Sequence, residues 1–220
     1  MKDLLRFKWR YFINLTGQEF PLKTNKELVE ILTAYKGAND IRGTSGKFDQ
    51  RRVMKKGPPP FNLTLMKGPI HIAASRDFVQ FIFEDRKTQV FLEWLRGTQI
   101  PDETFYATIN NNPFLGAPGG FHGPESVRES MTSFIRYKQW GKTPCSGKYQ
   151  RQICIFNVGD LPRLVNSKAL FANKFLSSYG QYAYDCLEQL HWNRVIDDFH
   201  NPQDFDTSFY SALPNVVYRN

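Results

Sequence analysis

Apolar positions in this chain come in short bursts separated by long stretches rich in glycine and proline. Tyr11-Phe12-Ile13-Asn14-Leu15 reads as a buried strand, because a brief, nearly continuous apolar run bounded by turn residues suits a strand better than a helix. A turn is expected over 17–21. Thr24-Asn25 caps a helix whose apolar positions Leu28, Val29, Ile31, Leu32 and Tyr35 share one face, and Lys36-Gly37 ends it. Residues 38–60 read as a loop, too long to be ordinary in a compact domain. A second strand is expected over 70–74. Ser75 caps a helix over 77–85, and 88–94 continues in the same register. Pro101 opens the next helix with Asp102 and Glu103 in its first turn, where the helix dipole favours carboxylates. After a second Gly/Pro loop at 110–125 come strands over 133–140 and 153–156. A short helix from Asp160, a compact segment at 170–175 and a last helix over 182–190 complete the pattern. This is mixed α/β, with too few strands for a complete open sheet.

Composition narrows the class. With 220 residues, 41% hydrophobic and 15% aromatic, the chain is long enough to fold around a real core. The net charge of +8 suits an anionic partner. The basic residues are scattered apart from Lys47, Arg51, Arg52, Lys55 and Lys56, and no recognition motif accompanies them, which argues against nucleic acid. No apolar run reaches the ~18 residues of a membrane span. Charges interrupt the first eleven residues throughout, unlike a signal peptide. These features alone expect a soluble, cytosolic chain. The cysteines leave two readings open. A hairpin around Pro144-Cys145-Ser146-Gly147-Lys148 would bring Cys145 and Cys154 within disulfide reach, with Cys186 left over. Three reduced, buried thiols are the plainer alternative.

Candidate chemistry gathers at a few positions. Glu103 is a candidate general base for a hydroxyl nucleophile, with Asp102 able to share the role; both are equally ordinary as first-turn residues. Arg151 and Lys174 are isolated cations beside apolar segments. They are either surface charges or a clamp that holds a departing diphosphate in place of a divalent metal. Tyr137 and Trp140 could stack on sugar faces or simply fill the core. Asp204-Phe205-Asp206 lies in a polar region rather than after a buried strand and is read as chance. Asn14-Leu15-Thr16 and Asn62-Leu63-Thr64 are N-glycosylation sequons, of which only Asn62 lies outside an expected buried strand. No zinc cluster, P-loop or dinucleotide fingerprint is present.

Four ordered motifs carry a resemblance. The run Trp9-Arg-Tyr-Phe-Ile-Asn-Leu-Thr-Gly-Gln-Glu-Phe-Pro-Leu-Lys-Thr-Asn25 is similar to the core-2/I-branching β-1,6-N-acetylglucosaminyltransferases. So are Pro101-Asp-Glu-Thr-Phe-Tyr-Ala-Thr-Ile109, Cys154-Ile-Phe-Asn-Val-Gly-Asp-Leu161 and Leu170-Phe-Ala-Asn-Lys-Phe175. The resemblance runs from about residue 3 to about 190. It implies the C-terminal part of a GT-A-type glycosyltransferase fold, with 1–190 as part of the catalytic domain and 191–220 as a tail. The implied reaction is inverting and metal-independent, with no cofactor. GlcNAc passes from UDP-GlcNAc to the 6-hydroxyl of a Gal or GalNAc residue on a glycoprotein or glycolipid. Carried over motif by motif, Glu103 is the base and Arg151 and Lys174 hold the diphosphate. Tyr137, Trp140, Lys47 and Arg51 fall at acceptor positions. Cys145 and Cys154 match a family disulfide, which turns the cysteine argument toward the oxidised reading; Cys186 matches a cysteine whose partner lies upstream of this chain.

The family further implies the lumenal side of the Golgi, with membrane attachment only through an anchor absent from this chain. Nucleic acid is not an implied partner. Two departures stand out. The chain begins inside the family's donor-binding half, so Met1 reads as an internal methionine. Arg42 also stands where the family commonly has an acidic acceptor contact. The rival readings are a protein xylosyltransferase-like relative and a non-catalytic glycan-binding remnant.

Overall fold

A computed structural model describes every residue except Lys142. Its elements are β1 (Tyr11–Ile13), β2 (Glu19–Pro21), α1 (Asn25–Ala34), β3 (Ala73–Ser75), α2 (Arg76–Glu84), α3 (Arg86–Trp94), α4 (Asp102–Asn110), α5 (Glu125–Ser130), β4 (Arg136–Tyr137), β5 (Lys148–Gln150), β6 (Ile153–Ile155), α6 (Leu161–Val165), β7 (Phe171–Asn173), α7 (Gln181–His200), α8 (Ser208–Ser211) and α9 (Pro214–Val217). The chain is mixed α/β, with short strands flanked by helices, the class of a GT-A-type glycosyltransferase. It divides into two compact units. Among the described residues no helix is long and apolar enough to cross a membrane.

The first unit comprises residues 1–14, 33–133 and 208–220. β1 pairs antiparallel with β3, Phe12 opposite Ala74. Ser75 then caps α2, its hydroxyl accepting from the Phe78 N–H at 3.2 Å. The expected continuous helix breaks at Asp85, whose backbone is extended and whose carboxylate accepts from the Thr88 N–H at 2.8 Å to start α3. A second N-cap inside an apolar pattern is what divides it. Phe78, Val79, Ile82 and Phe91 from these helices pack with Phe105 and Ile109 of α4 in one buried cluster. α8 and α9 close the unit: Tyr210 is fully buried, and the His122 N–H donates to the Tyr218 carbonyl at 2.7 Å.

The second unit comprises 15–32 and 134–207. Its three-stranded sheet runs β2-β7-β4, antiparallel then parallel. Gly17 turns the chain at φ +80°, but 19–21 pairs as an edge strand where a turn was expected. An edge tolerates Pro21, which has no N–H to offer a ladder. The expected strand over 133–140 shrinks to the two residues of β4. α1 opens with a reciprocal cap: the Thr24 N–H donates to Glu27 Oε2 at 2.8 Å, and the Glu27 N–H donates to Thr24 Oγ1 at 3.3 Å. Of its expected apolar face, Val29 is exposed. α7 runs ten residues past 190, to His200. Its second half is held by Arg194, which donates to the Leu22 carbonyl at 3.0 Å and pairs with Glu27, rather than by apolar burial. The apolar stripe that sequence periodicity detects had therefore already faded.

Candidate active site

Glu103 stands in the first turn of α4, with Asp102 half-buried beside it. Its backbone is fixed from both sides. The Glu103 N–H donates to the Ile100 carbonyl at 3.2 Å, and its own carbonyl accepts from the Gly68 N–H at 2.8 Å. Gly68 is required there: a Cβ would lie 2.2 Å from the Arg42 carbonyl oxygen and 2.7 Å from Ala107 Cβ. This close backbone approach pins the start of α4 against the 38–68 region of the same unit.

The carboxylate faces a cation that sequence reasoning passed over. Arg52 Nη2 lies 2.8 Å from Glu103 Oε2, with the Arg52 side chain only 11% exposed and that of Glu103 28%. The two are an ion pair without hydrogen-bond alignment, so Glu103 Oε2 and Arg52 Nη1 are both buried with no hydrogen-bond partner among the described residues. Such atoms are rare in folded proteins and mark sites with other work to do. A base within reach of an incoming hydroxyl would have to use the accessible part of this carboxylate, since Oε2 is buried against Arg52.

Arg51 goes the other way. Residues Gln50–Arg52 form a single 3-10 turn capped by Asp49, and the Arg51 guanidinium forks onto that same Asp49 at 2.9 Å, largely in solvent. Consecutive residues on so tight a turn point apart, so only one of the two arginines can reach Glu103. Lys47 is exposed. Arg42 is half-buried and its Nε, also buried, lacks a hydrogen-bond partner among the described residues. In this unit the structure thus brings Arg52 to Glu103 and leaves Lys47 and Arg51 on the surface.

The remaining candidates lie in the second unit. Arg151 and Gln152 form the two-residue loop between β5 and β6, at φ +50° and +66°. A type I′ two-residue hairpin turn needs positive φ at both positions, and asparagine or glycine normally supplies it. Here two long side chains occupy the strained conformation, leaving Arg151 exposed at the hairpin tip. Cys145 and Cys154 are disulfide-bonded, with Cα atoms 5.8 Å apart, and anchor the hairpin. Beside the bond, Asp160 accepts from the Ser146 and Asn157 N–H groups at 3.0 Å each and pairs with Arg163. Cys145, Cys154 and Asp160 form a cluster with metal-site spacing, but two sulfurs bonded to each other are not ligands.

Lys174 follows β7. Its carbonyl accepts from the Phe156 N–H at 3.1 Å, while its half-buried side chain has no partner among the described residues. Tyr137 is half-buried with its ring 5.9 Å from that of Phe156, so it belongs partly to the core. Trp140 is 54% exposed, with Lys138 Nζ 5.9 Å from its ring. An exposed indole is the more available of the two for stacking.

The model of the Core-2/I-Branching enzyme family matches residues 1–165. The chain belongs to this family. Among its relatives, the human beta-1,3-galactosyl-O-glycosyl-glycoprotein beta-1,6-N-acetylglucosaminyltransferase 3 is 35% identical over 219 residues, covering 86% of this chain and 50% of the relative. Human N-acetyllactosaminide beta-1,6-N-acetylglucosaminyl-transferase is 34% identical over 214 residues, covering 86% and 52%. A beta-1,6-N-acetylglucosaminyltransferase of bovine herpesvirus 4 (strain LVR140) is 32% identical over 217 residues, covering 86% and 49%. The chain spans about half the length of the branching-enzyme relatives it matches.

Proposed function

We propose that this branching-enzyme family member takes part in the inverting transfer of GlcNAc from UDP-GlcNAc to the 6-hydroxyl of a Gal or GalNAc residue, without a metal ion. The observation that carries the reading is Glu103, a carboxylate at the start of α4 held on one side by a nine-tenths-buried arginine and still 28% exposed. Glu103 takes the acceptor's hydroxyl proton as the oxygen attacks the anomeric carbon. The glycosidic bond to UDP breaks with its electron pair leaving on the diphosphate. Arg151 and Lys174, neither with a side-chain partner among the described residues, offset that charge. Tyr137, Trp140, Lys47 and Arg51 are the acceptor contacts on this reading. The work is done in the Golgi lumen, where the Cys145–Cys154 bond is stable.

The test is transfer from UDP-GlcNAc to a galactosyl-GalNAc acceptor by the enzyme and its Glu103→Gln variant. Turnover is expected to fall at least ~100-fold, the scale of a general base, with UDP affinity unchanged. A chelator should leave the rate of the unmodified enzyme unaltered. Undiminished turnover in the variant removes Glu103 from the role. Transfer from UDP-xylose to a peptide, with none from UDP-GlcNAc, replaces this reading with the xylosyltransferase one.

A further inference from the structure

The two Asn-x-Thr sequons meet opposite fates in the fold. The Asn14 side chain is built into the first unit: Nδ2 donates to the Ile70 carbonyl at 2.9 Å, and Oδ1 accepts from the Ile72 N–H at 2.9 Å. A glycan on Nδ2 would have to be seated at this half-buried junction. Asn62, in contrast, ends the 3-10 turn Pro60–Asn62 and is exposed. Its side chain makes no hydrogen bond among the described residues. Phe61 and Asn62 both adopt left-handed backbone, at φ +57° and +53°, a conformation asparagine tolerates better than most residues. The next two residues hold the turn firmly. Leu63 is 3% exposed within the core cluster. The Thr64 backbone is clasped by one side chain, its N–H donating to Asn112 Oδ1 at 3.0 Å and its carbonyl accepting from Asn112 Nδ2 at 2.9 Å. The sequon is thus presented on a fixed turn, with the side chains of Asn62 and Thr64 in solvent.

We infer that Asn62 is an N-glycosylation site and that the folded protein carries one N-linked oligosaccharide, at Asn62 and not at Asn14. Asn62 Nδ2 bonds to C1 of the first sugar of a lipid-diphosphate-linked oligosaccharide. The C1–O bond breaks, its electron pair departs with the lipid diphosphate, and the amide proton passes to a base of the transferring enzyme. The inference rests on the reading that the chain works in the secretory lumen.

The full chain, expressed in animal cells behind a cleavable secretory leader, imposes the compartment and so separates the two ideas. The expected result is a single glycan removed by peptide N-glycosidase, lost in Asn62→Gln and Thr64→Ala and restored in Thr64→Ser. Disulfide-bonded chain without glycan overturns the site, as does a glycan retained in Asn62→Gln. GlcNAc transfer is measured on the same preparations. Its absence alongside an intact glycan at Asn62 counts against the enzymatic reading and leaves the site standing.

Discussion

At the scale of single residues, neighbouring arginines have unlike environments. Arg52 is buried against Glu103, while Arg51 is spread over Asp49 in water. Removing Arg52 leaves a partly buried carboxylate without its counter-ion. Arg52→Ala is therefore expected to lower stability by about 1–2 kcal/mol, whereas Arg51→Ala stays within about 0.5 kcal/mol, as urea unfolding will measure. The second residue-scale pair is Glu19–Arg136, at 3.6 Å with side chains 3% and 2% exposed. Burial pushes the Glu19 carboxyl up, but N–H and hydroxyl donors from Thr16 and Gln18, together with Arg136, outweigh it and hold the group at about 2. Burial brings Arg136 down to about 10 against the pull of Glu19, so both stay charged at neutral pH. A depressed carboxyl stabilises the fold above its unfolded value and loses that contribution as pH falls through the folded one. Stability should thus decline as pH drops from 4.5 toward about 2, and Glu19→Gln should remove that component of the decline. Glu19→Gln should also lower stability at neutral pH by about 1–3 kcal/mol, since the charge-assisted bonds from Thr16 and Gln18 are weakened.

At the scale of elements, the caps were the most legible part of the sequence. Ser75 and Thr24 stand at helix starts because their hydroxyls answer open N–H groups locally, and Pro101 because its fixed φ suits a helix start and it has no N–H to leave open. Strand lengths were not legible, because pairing over two or three residues is decided by partners far along the chain, as with β4 and β7. The candidate site was half legible. Glu103 stood out through its motif, but choosing Arg52 over Arg51 needed the tight turn that separates them. The β5–β6 hairpin carries its own prediction. Gln152 holds φ +66°, a conformation costing about 1 kcal/mol or more for a side-chain-bearing residue. Gln152→Gly should therefore raise the thermal midpoint and stabilise the protein by about 1 kcal/mol. Reducing the Cys145–Cys154 bond that anchors the hairpin should act the other way. With a sequence separation of 9, the loop-entropy argument gives about 2–3 kcal/mol, measurable as unfolding with and without reductant.

At the scale of the whole molecule, the chain visits its two units alternately. Residues 1–14 begin the first unit, 15–32 begin the second, 33–133 return to the first, 134–207 complete the second, and 208–220 return again. That interleaving explains why the region after 190 was the least readable. Several of its apolar residues, Tyr210, Leu213 and Val216, are buried in a unit that starts two hundred residues earlier. The order of synthesis gives this topology a further meaning. A ribosome emits the first unit's opening strand long before the helices that cap it, so that unit cannot mature behind the growing chain as an independent N-terminal domain would. Until residues 208–220 emerge, the surfaces that receive Tyr210 and Tyr218 remain uncovered. The first unit's folding therefore waits on residues 208–220, the segment of it that is made last.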